Sequence, residues 1–595
     1  MSKTVKKRNE IDKKYKWNIE AMYPDEKLWE EDLNEALRLS EEFAAYKGVL
    51  TSNHMILTEA LIARDKIWMK VEKAFVYSRM RRDEDNSNEK YQAMCDKSGQ
   101  IIAKVSANTS FFLPELTETD SNILLLYLEE SPKLKTYEFL IKDVLREKEH
   151  ILSKQEENIL AQMGEITSST NDIFTMLNNA DIKFGQITDE NGDQVTLTHG
   201  NYINFMESHN REIRQEAYTK MYTSYKDLIN TISTTYNYNT KTDTVSAKLR
   251  KYNSAIESAL SGDNIPLSVY DNLVSVVNKH LPALHKYINL RKKILGVDQL
   301  KMYDIYVPLV KIPDRKITFE EGIDIIEDAL RPLGDEYISR MKEGISQGWI
   351  DVYENQGKTS GAYSFGSYDS YPYILLNYSE TLKDVFTIIH EMGHSMHSSY
   401  TRENQPFVYG DHSIFTAEVA STVNENLLMK HLIAKETDPD MKKYLINLHL
   451  EEFRTTLFRQ TMFAEFEQFT HKTVEDGNSL TANLMCEEYH KLNKKYFGEA
   501  LGNDDYIKYE WSRIPHFYNA FYVYKYATGY SAATAISDLI LKNGSKDYLE
   551  FLKTGNSDHP IELLKIAGVD MSSPKPIETA MEEFSKLVDE FEKLI

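Results

Sequence analysis

The chain has 595 residues, 41% hydrophobic and 27% charged, enough to bury a large core and more than one substructure. Its 70 Lys and Arg against 92 Asp and Glu leave a formal charge of −22, which opposes attraction to nucleic acid phosphates and anionic lipid. Two cysteines, Cys95 and Cys486, in unrelated contexts exclude a disulfide framework.

The first eighteen residues, MSKTVKKRNEIDKKYKWN, are basic but lack the apolar core of a signal peptide. No apolar run elsewhere approaches the ~18 residues that cross a bilayer. The expectation is a soluble, cytoplasmic protein with neither nucleic acid nor membrane as partner. From about 18 to 180, WEEDLNEALRLSEEFAAY and ILTEALIARDKIWMKVEKAFVYSRM space apolar residues by three and four, predicting helices. Between 181 and 200 the pattern changes: Ile182, Phe184 and Ile187, the turn-rich DENGD, then Val195 and Leu197 predict a β-hairpin. This gives an N-terminal helical lobe over 1–180, a hairpin junction over 181–200 and a larger domain over 201–595. Helical periodicity resumes after Asn201. In GAYSFGSYDSYPYILLNYSE, 361 to 380, Gly, Ser and Tyr crowd a loop, and Tyr373 to Tyr378 between Pro372 and Ser379 read as a strand. The whole is a mostly α protein with small β elements near the residues of interest.

The strand leads into TIIHEMGHSMH, 387 to 397, on a helix beginning near Thr381 whose buried stripe is Val385, Ile389, Met392 and Met396. His390 and His394, one turn apart, project from one side and suit one zinc ion. Glu391, about 100° round the helix, stands beside such a metal without binding it, where a general base for water belongs. His397 lies about 10 Å along the axis from His390, whereas two donors on one zinc lie within ~4 Å of each other. The third ligand therefore comes from elsewhere. SIFTAEVASTVNENLLMKHLI predicts a second helix with stripe Val419, Val423 and Leu427, and Glu418 is the chosen ligand because Ala417, Ala420 and Ser421 allow close approach. Asp384 and Glu425 are the rivals. Two imidazoles and one carboxylate leave a fourth position, the pattern of one catalytic zinc per chain. A related metal motif would need Gly at 397 and His at 400, where this chain has His397 and Tyr400. Isolated histidines such as His280 and His412 read as structural.

A second constellation, RIPHFYNAFYVYKYATGY, 513 to 530, carries His516, Tyr518, Tyr522, Tyr524, Tyr526 and Tyr530. Amide hydrolysis passes through an oxyanion that neutral phenol or imidazole donors stabilise. Tyr518, Tyr522 and Tyr526 also fall at helical spacing, which packing alone would explain.

With these residues in place, the chain resembles the oligoendopeptidase F branch of the thimet oligopeptidase family of zinc peptidases. The stretches that carry the resemblance run from YKWNIEAMYPDEKLWEEDL through LHKYINLRKKILGVDQLKMYDIYVPLV, PYILLNYSETLKDVFTIIHEMGHSMHS, FTAEVASTVNENLL and IPHFYNAFYVYKYATGYSAA to YLEFLKTGNSDHPIELLKIAGVDM. The resemblance implies a two-lobed helical bowl with a deep substrate channel, zinc on His390, His394 and Glu418, Glu391 activating water, and short peptides as substrates. It further implies oxyanion donors at His516, Tyr522 and Tyr524, in a register that leaves the choice among tyrosines of 518–530 open. A catalytically silent peptide-binding scaffold and a related carboxypeptidase are the alternatives. A binder has no need of a non-ligand glutamate beside a metal, and no arrangement for seizing a terminal carboxylate is evident.

Overall fold

The computed structural model describes residues 5–311 and 315–595. In chain order, α1 (Glu26–Phe43), α2 (His54–Glu84) and α3 (Glu89–Thr109) start at Asp25, Asn53 and Asn88, whose side chains accept first-turn backbone N–H groups that have no partner within the helix. Their apolar faces meet in one core that includes Trp29, Leu33, Leu57, Val71, Tyr77, Ile101 and Val105. Next come α4 (Lys154–Met176), the hairpin β1 (Gln186–Thr188) and β2 (Gln194–Thr196), and α5 (Ile229–Leu249). The hairpin pairs Ile187 with Val195. Its turn closes because Asp189 Oδ1 accepts from the N–H groups of Asn191 and Asp193, and Gly192 takes φ +87°, which a side chain would resist.

A second sheet has the order β3-β5-β4, from β3 (Ile350–Asp351), β4 (Tyr363–Phe365) and β5 (Tyr373–Leu375). β5 is parallel to β3 and antiparallel to β4, and all three of its residues are buried. β4 is thus a sheet edge. Further helices used below are α6 (Leu382–Asn404), α7 (Ile414–Lys435), α8 (Arg459–Glu475) and α9 (Tyr524–Asn543). Helices dominate and the β elements are small, as the sequence pattern predicts; the sheets among the described residues have two and three strands, and β4 falls within the stretch read from sequence as a loop.

The chain forms two compact units, each drawn from three stretches. One comprises Met1–Lys148, Arg315–His431 and Ile536–Val569; the other comprises Glu149–Asp314, Leu432–Ala535 and Asp570–Ile595. The first unit contains β3, β4, β5 and α6 whole, and the segment of α7 that carries Glu418 and Glu425. The second contains α4, the hairpin, α5, α8 and the aromatic segment around His516.

Candidate metal centre

α6 begins where its sequence says it should. Thr381 is the N-cap, its Oγ1 accepting from the Asp384 N–H while Asp384 Oδ2 accepts from the Thr381 N–H, a reciprocal capping box. The same Asp384 oxygen also accepts from the Ser379 N–H and hydroxyl, so this carboxylate is committed to the helix start. Val385, Ile389, Met392 and Met396 are fully buried, which leaves His390 and His394 on the other side.

α7 packs on α6 through small residues. A Cβ on Gly393 would stand 2.6 Å from the Ser421 Cα, so the two backbones approach at a distance only glycine permits. Asn424 stitches the pair, donating to the Ile389 carbonyl at 3.4 Å and to the Tyr337 hydroxyl at 3.0 Å. Val419, Val423 and Leu427 are buried and Glu418 is exposed, facing the histidines.

Glu418 Oε2 lies 3.6 Å from His390 Nε2 and 3.8 Å from His394 Nε2, and one donor atom from each of the three residues falls within 4.8 Å of the others. Tetrahedral zinc with bonds of about 2.1 Å keeps its ligands roughly 3.4 Å apart. The donor set and its spacing therefore fit such an ion. Glu425, two turns beyond Glu418, meets the opposite nitrogen of His390 at 3.3 Å from Nδ1 and so fixes which nitrogen faces the cluster. Helical spacing could have revealed that partnership, since 418 and 425 share a face of α7.

The electrostatics match a cation site. Burial pulls the His390 ring down, but the hydrogen bond and charge of Glu425, with Glu391 and Glu418, outweigh it and hold the ring up at about 9. Burial drives His394 down to about 3, helped by His390, which leaves it in the neutral form a ligand needs. Burial, then the charges of Glu418 and Glu425, push Glu391 up to about 7, against the pull of His390 and the Ser364 backbone N–H. Ser364 belongs to the edge strand β4, and its hydroxyl meets the Ser395 hydroxyl at 2.8 Å, tying that strand to α6. A cation on the three donors would return Glu391 toward its ionised, basic form.

His397 stays apart from this cluster. It is fully buried, stacked 3.8 Å from His412 with rings 6° from parallel, and burial holds it well below its ordinary pKa. In the second unit, helix α9 starts only at Tyr524, after a short 3₁₀ turn over Pro515–Tyr518, so Tyr518, Tyr522 and Tyr526 do not share one helix face. His516, Tyr522 and Tyr526 instead form an open aromatic group: His516 stacks on Tyr522 at 6.0 Å, and Tyr526 stands edge-on to Tyr522 at 5.4 Å. Tyr524 lies elsewhere, with no exposure and its ring 5.2 Å from Tyr270. Tyr518 stacks on Phe174 of α4 at 4.4 Å.

Comparison with known proteins gives a consistent result. Residues 204–583 match the model of Peptidase family M3, and residues 115–184 match that of Oligopeptidase F. The chain is 46% identical to Oligopeptidase PepF of Bacillus subtilis over 99% of its own length and 88% of the relative's. It is 42% identical to an Oligoendopeptidase F homolog of Lactococcus lactis over 99% of both chains. The crystal structure of oligoendopeptidase-F from Enterococcus faecium is 38% identical, covers 96% of this chain and 98% of its own, and superposes with a TM-score of 0.73.

Proposed function

The chain belongs to peptidase family M3 and is a metallopeptidase, and on that premise we propose that it is a zinc-dependent oligoendopeptidase cutting internal bonds of short, unfolded peptides. The observation that carries this reading is the convergence of His390, His394 and Glu418 with a buried, non-ligand Glu391 beside them. One zinc held by those three donors would supply Lewis acidity toward the water and the scissile carbonyl.

The protein's own groups do the rest. Glu391 takes a proton from water as its oxygen attacks the carbonyl carbon, then gives that proton to the amine nitrogen as the C–N bond breaks. Glu425 holds the His390 ring in one orientation, and the contact between the Ser364 and Ser395 hydroxyls ties β4 to the helix that carries Glu391. The exposed His516 and the half-buried Tyr522 stacked on it serve as oxyanion donors together with Tyr526. Tyr524, with its buried ring, is the remaining candidate. The names of the relatives support peptide substrates. Cys95 and Cys486, both buried free thiols, fit a reducing cytoplasm.

Mass spectrometry of products from peptides blocked at both ends tests the proposal. Internal cleavage that stops on zinc removal and returns on zinc addition is the expected result. Release of terminal residues alone from unblocked peptides, with blocked ones left intact, would overturn it.

A further inference from the structure

Among the described residues, Phe521 is the aromatic side chain held at positive φ, 55°, a region that bulky L-residues avoid. Its backbone and its ring are both held. Its N–H donates to Glu467 Oε1 at 2.9 Å, and its buried ring lies 4.5 Å from His471 and 5.9 Å from Tyr270. Glu467 sits on α8 with no exposure, and its Oε2 finds no hydrogen-bond partner among the described residues. Burial pushes this carboxyl well above the ordinary range, with the Phe521 N–H opposing the shift and Asp243 adding to it. One turn on, His471 meets the Glu467 carbonyl at 2.9 Å and Asp243 of α5 at 3.2 Å, which fixes this part of α8 against α5.

A buried carboxyl with an unpartnered oxygen is a costly way to satisfy one backbone N–H, unless that N–H must stay where it is. The next residue in the chain is Tyr522. The segment is a chain of turns in which the Asn519 N–H donates to the His516 carbonyl at 2.9 Å and the Tyr522 N–H donates to the Asn519 carbonyl at 3.3 Å. Rotating the backbone at Phe521 would therefore swing Tyr522 away from its stack on His516.

We infer that Glu467 is a positioning residue, whose buried carboxyl pins the Phe521 turn and so sets the orientation of Tyr522 against His516 and Tyr526. This rests on the reading of that aromatic group as oxyanion donors, and it assigns to the reaction a residue that touches no substrate.

The test uses the zinc-loaded full chain, a fluorogenic oligopeptide, and hydrogen exchange over 516–526. Glu467→Gln keeps an acceptor oxygen at the same place, so kcat should stay within about twofold, whereas Glu467→Met keeps the bulk but not the acceptor and should lose about 10- to 100-fold in kcat. In the Met variant KM and zinc content should match the parent while exchange at 519–523 quickens. If Glu467→Met does not fold, Glu467→Asp, one methylene shorter, withdraws the acceptor instead and is held to the same expectation. Parental kcat and parental exchange in the acceptor-free variant would overturn the inference, as would a Gln variant as slow as Met. Tyr522→Phe, run alongside, separates the two claims: parental turnover there, beside faster exchange in Glu467→Met, would defeat the donor reading and leave the pinned turn standing.

Discussion

Gly393 of α6 lies directly against Ser421 of α7, where a Cβ would come 2.6 Å from the Ser421 Cα and 2.8 Å from the Ala420 carbonyl oxygen. The neighbours are backbone atoms and cannot swing aside, so Gly393→Ala must separate α6 from α7. The expected loss is about 1–3 kcal/mol of stability, the usual cost of overpacking, together with weaker metal retention because Glu418 precedes Ser421 by one turn. Calorimetry and metal analysis after dialysis check both. Parental values for each would show that the helices yield freely.

Glu391→Gln preserves shape and the His390, His394 and Glu418 donors while removing the proposed base. Turnover should fall by about 10² to 10⁴, with zinc content and peptide binding retained. A variant turning over near the parental rate would remove Glu391 from the mechanism.

Glu418 and Glu425 should behave differently when neutralised. Glu418→Ala deletes a donor and should abolish retention of zinc through dialysis, whereas Glu425→Gln loosens only the ring orientation of His390 and should weaken affinity by about 10- to 100-fold. Competition with a chromogenic chelator gives both numbers. The reverse order would exchange the two roles.

Tyr522→Phe and Tyr524→Phe remove one hydroxyl each from neighbouring but unlike settings. The half-buried Tyr522, stacked on His516, should cost about 10² to 10³ in kcat with little change in KM if it donates to the oxyanion. The fully buried Tyr524 should change thermal stability more than turnover. Equal kcat in both variants would leave the segment a packing element.

Acid stability should depend on Glu510. This buried carboxylate accepts from Arg459 Nη2 at 2.8 Å and from the Tyr489 hydroxyl at 2.6 Å. Burial opposes its charge, but Arg459 and Arg513 outweigh burial and hold it down at about 2, against an ordinary value of 4.5. A depressed folded pKa gives stability that is complete above the unfolded value and is lost as pH falls through the folded one. Glu510 alone should therefore remove roughly 3 kcal/mol of unfolding free energy between about pH 5 and pH 2. Urea titrations at stepped pH should show that slope in the parent and a flatter one in Glu510→Gln, which starts from lower stability at neutral pH.

Much of α6 was legible because its signals are local. A capping threonine, an acid three residues on, a stripe at three and four, and two histidines one turn apart all lie within one helix. The small residues around Glu418 announced close approach, and Gly393 completes that contact from the other side. The hairpin was equally plain, because the DENGD turn carries its own hydrogen bonds. Other features join residues distant in sequence. Nothing near position 364 marks Ser364 as a neighbour of Glu391, since only the β5–β4 pairing brings it there. The tyrosines misled in a different way: their four-residue spacing from 518 to 526 suggests a helix, but Phe521 at positive φ interrupts the backbone and α9 begins three residues later. Periodicity cannot register a single residue turned into the left-handed region.

The threading of the two units bears on how the chain comes into being. When α6 and the part of α7 that carries Glu418 have left the ribosome, their own unit still lacks Ile536–Val569, including Phe551, whose ring lies 5.3 Å from His397, and Leu552, whose carbonyl accepts from the Thr401 hydroxyl at 2.9 Å. The helices that carry the histidines must therefore wait, with part of their apolar surface uncovered, while the aromatic segment of the other unit is synthesised, an interval in which a nascent chain is open to chaperones and to aggregation. Neither unit can be excised as one continuous fragment, and a shortened gene meant to isolate the unit that holds His390 and His394 would have to rejoin three pieces.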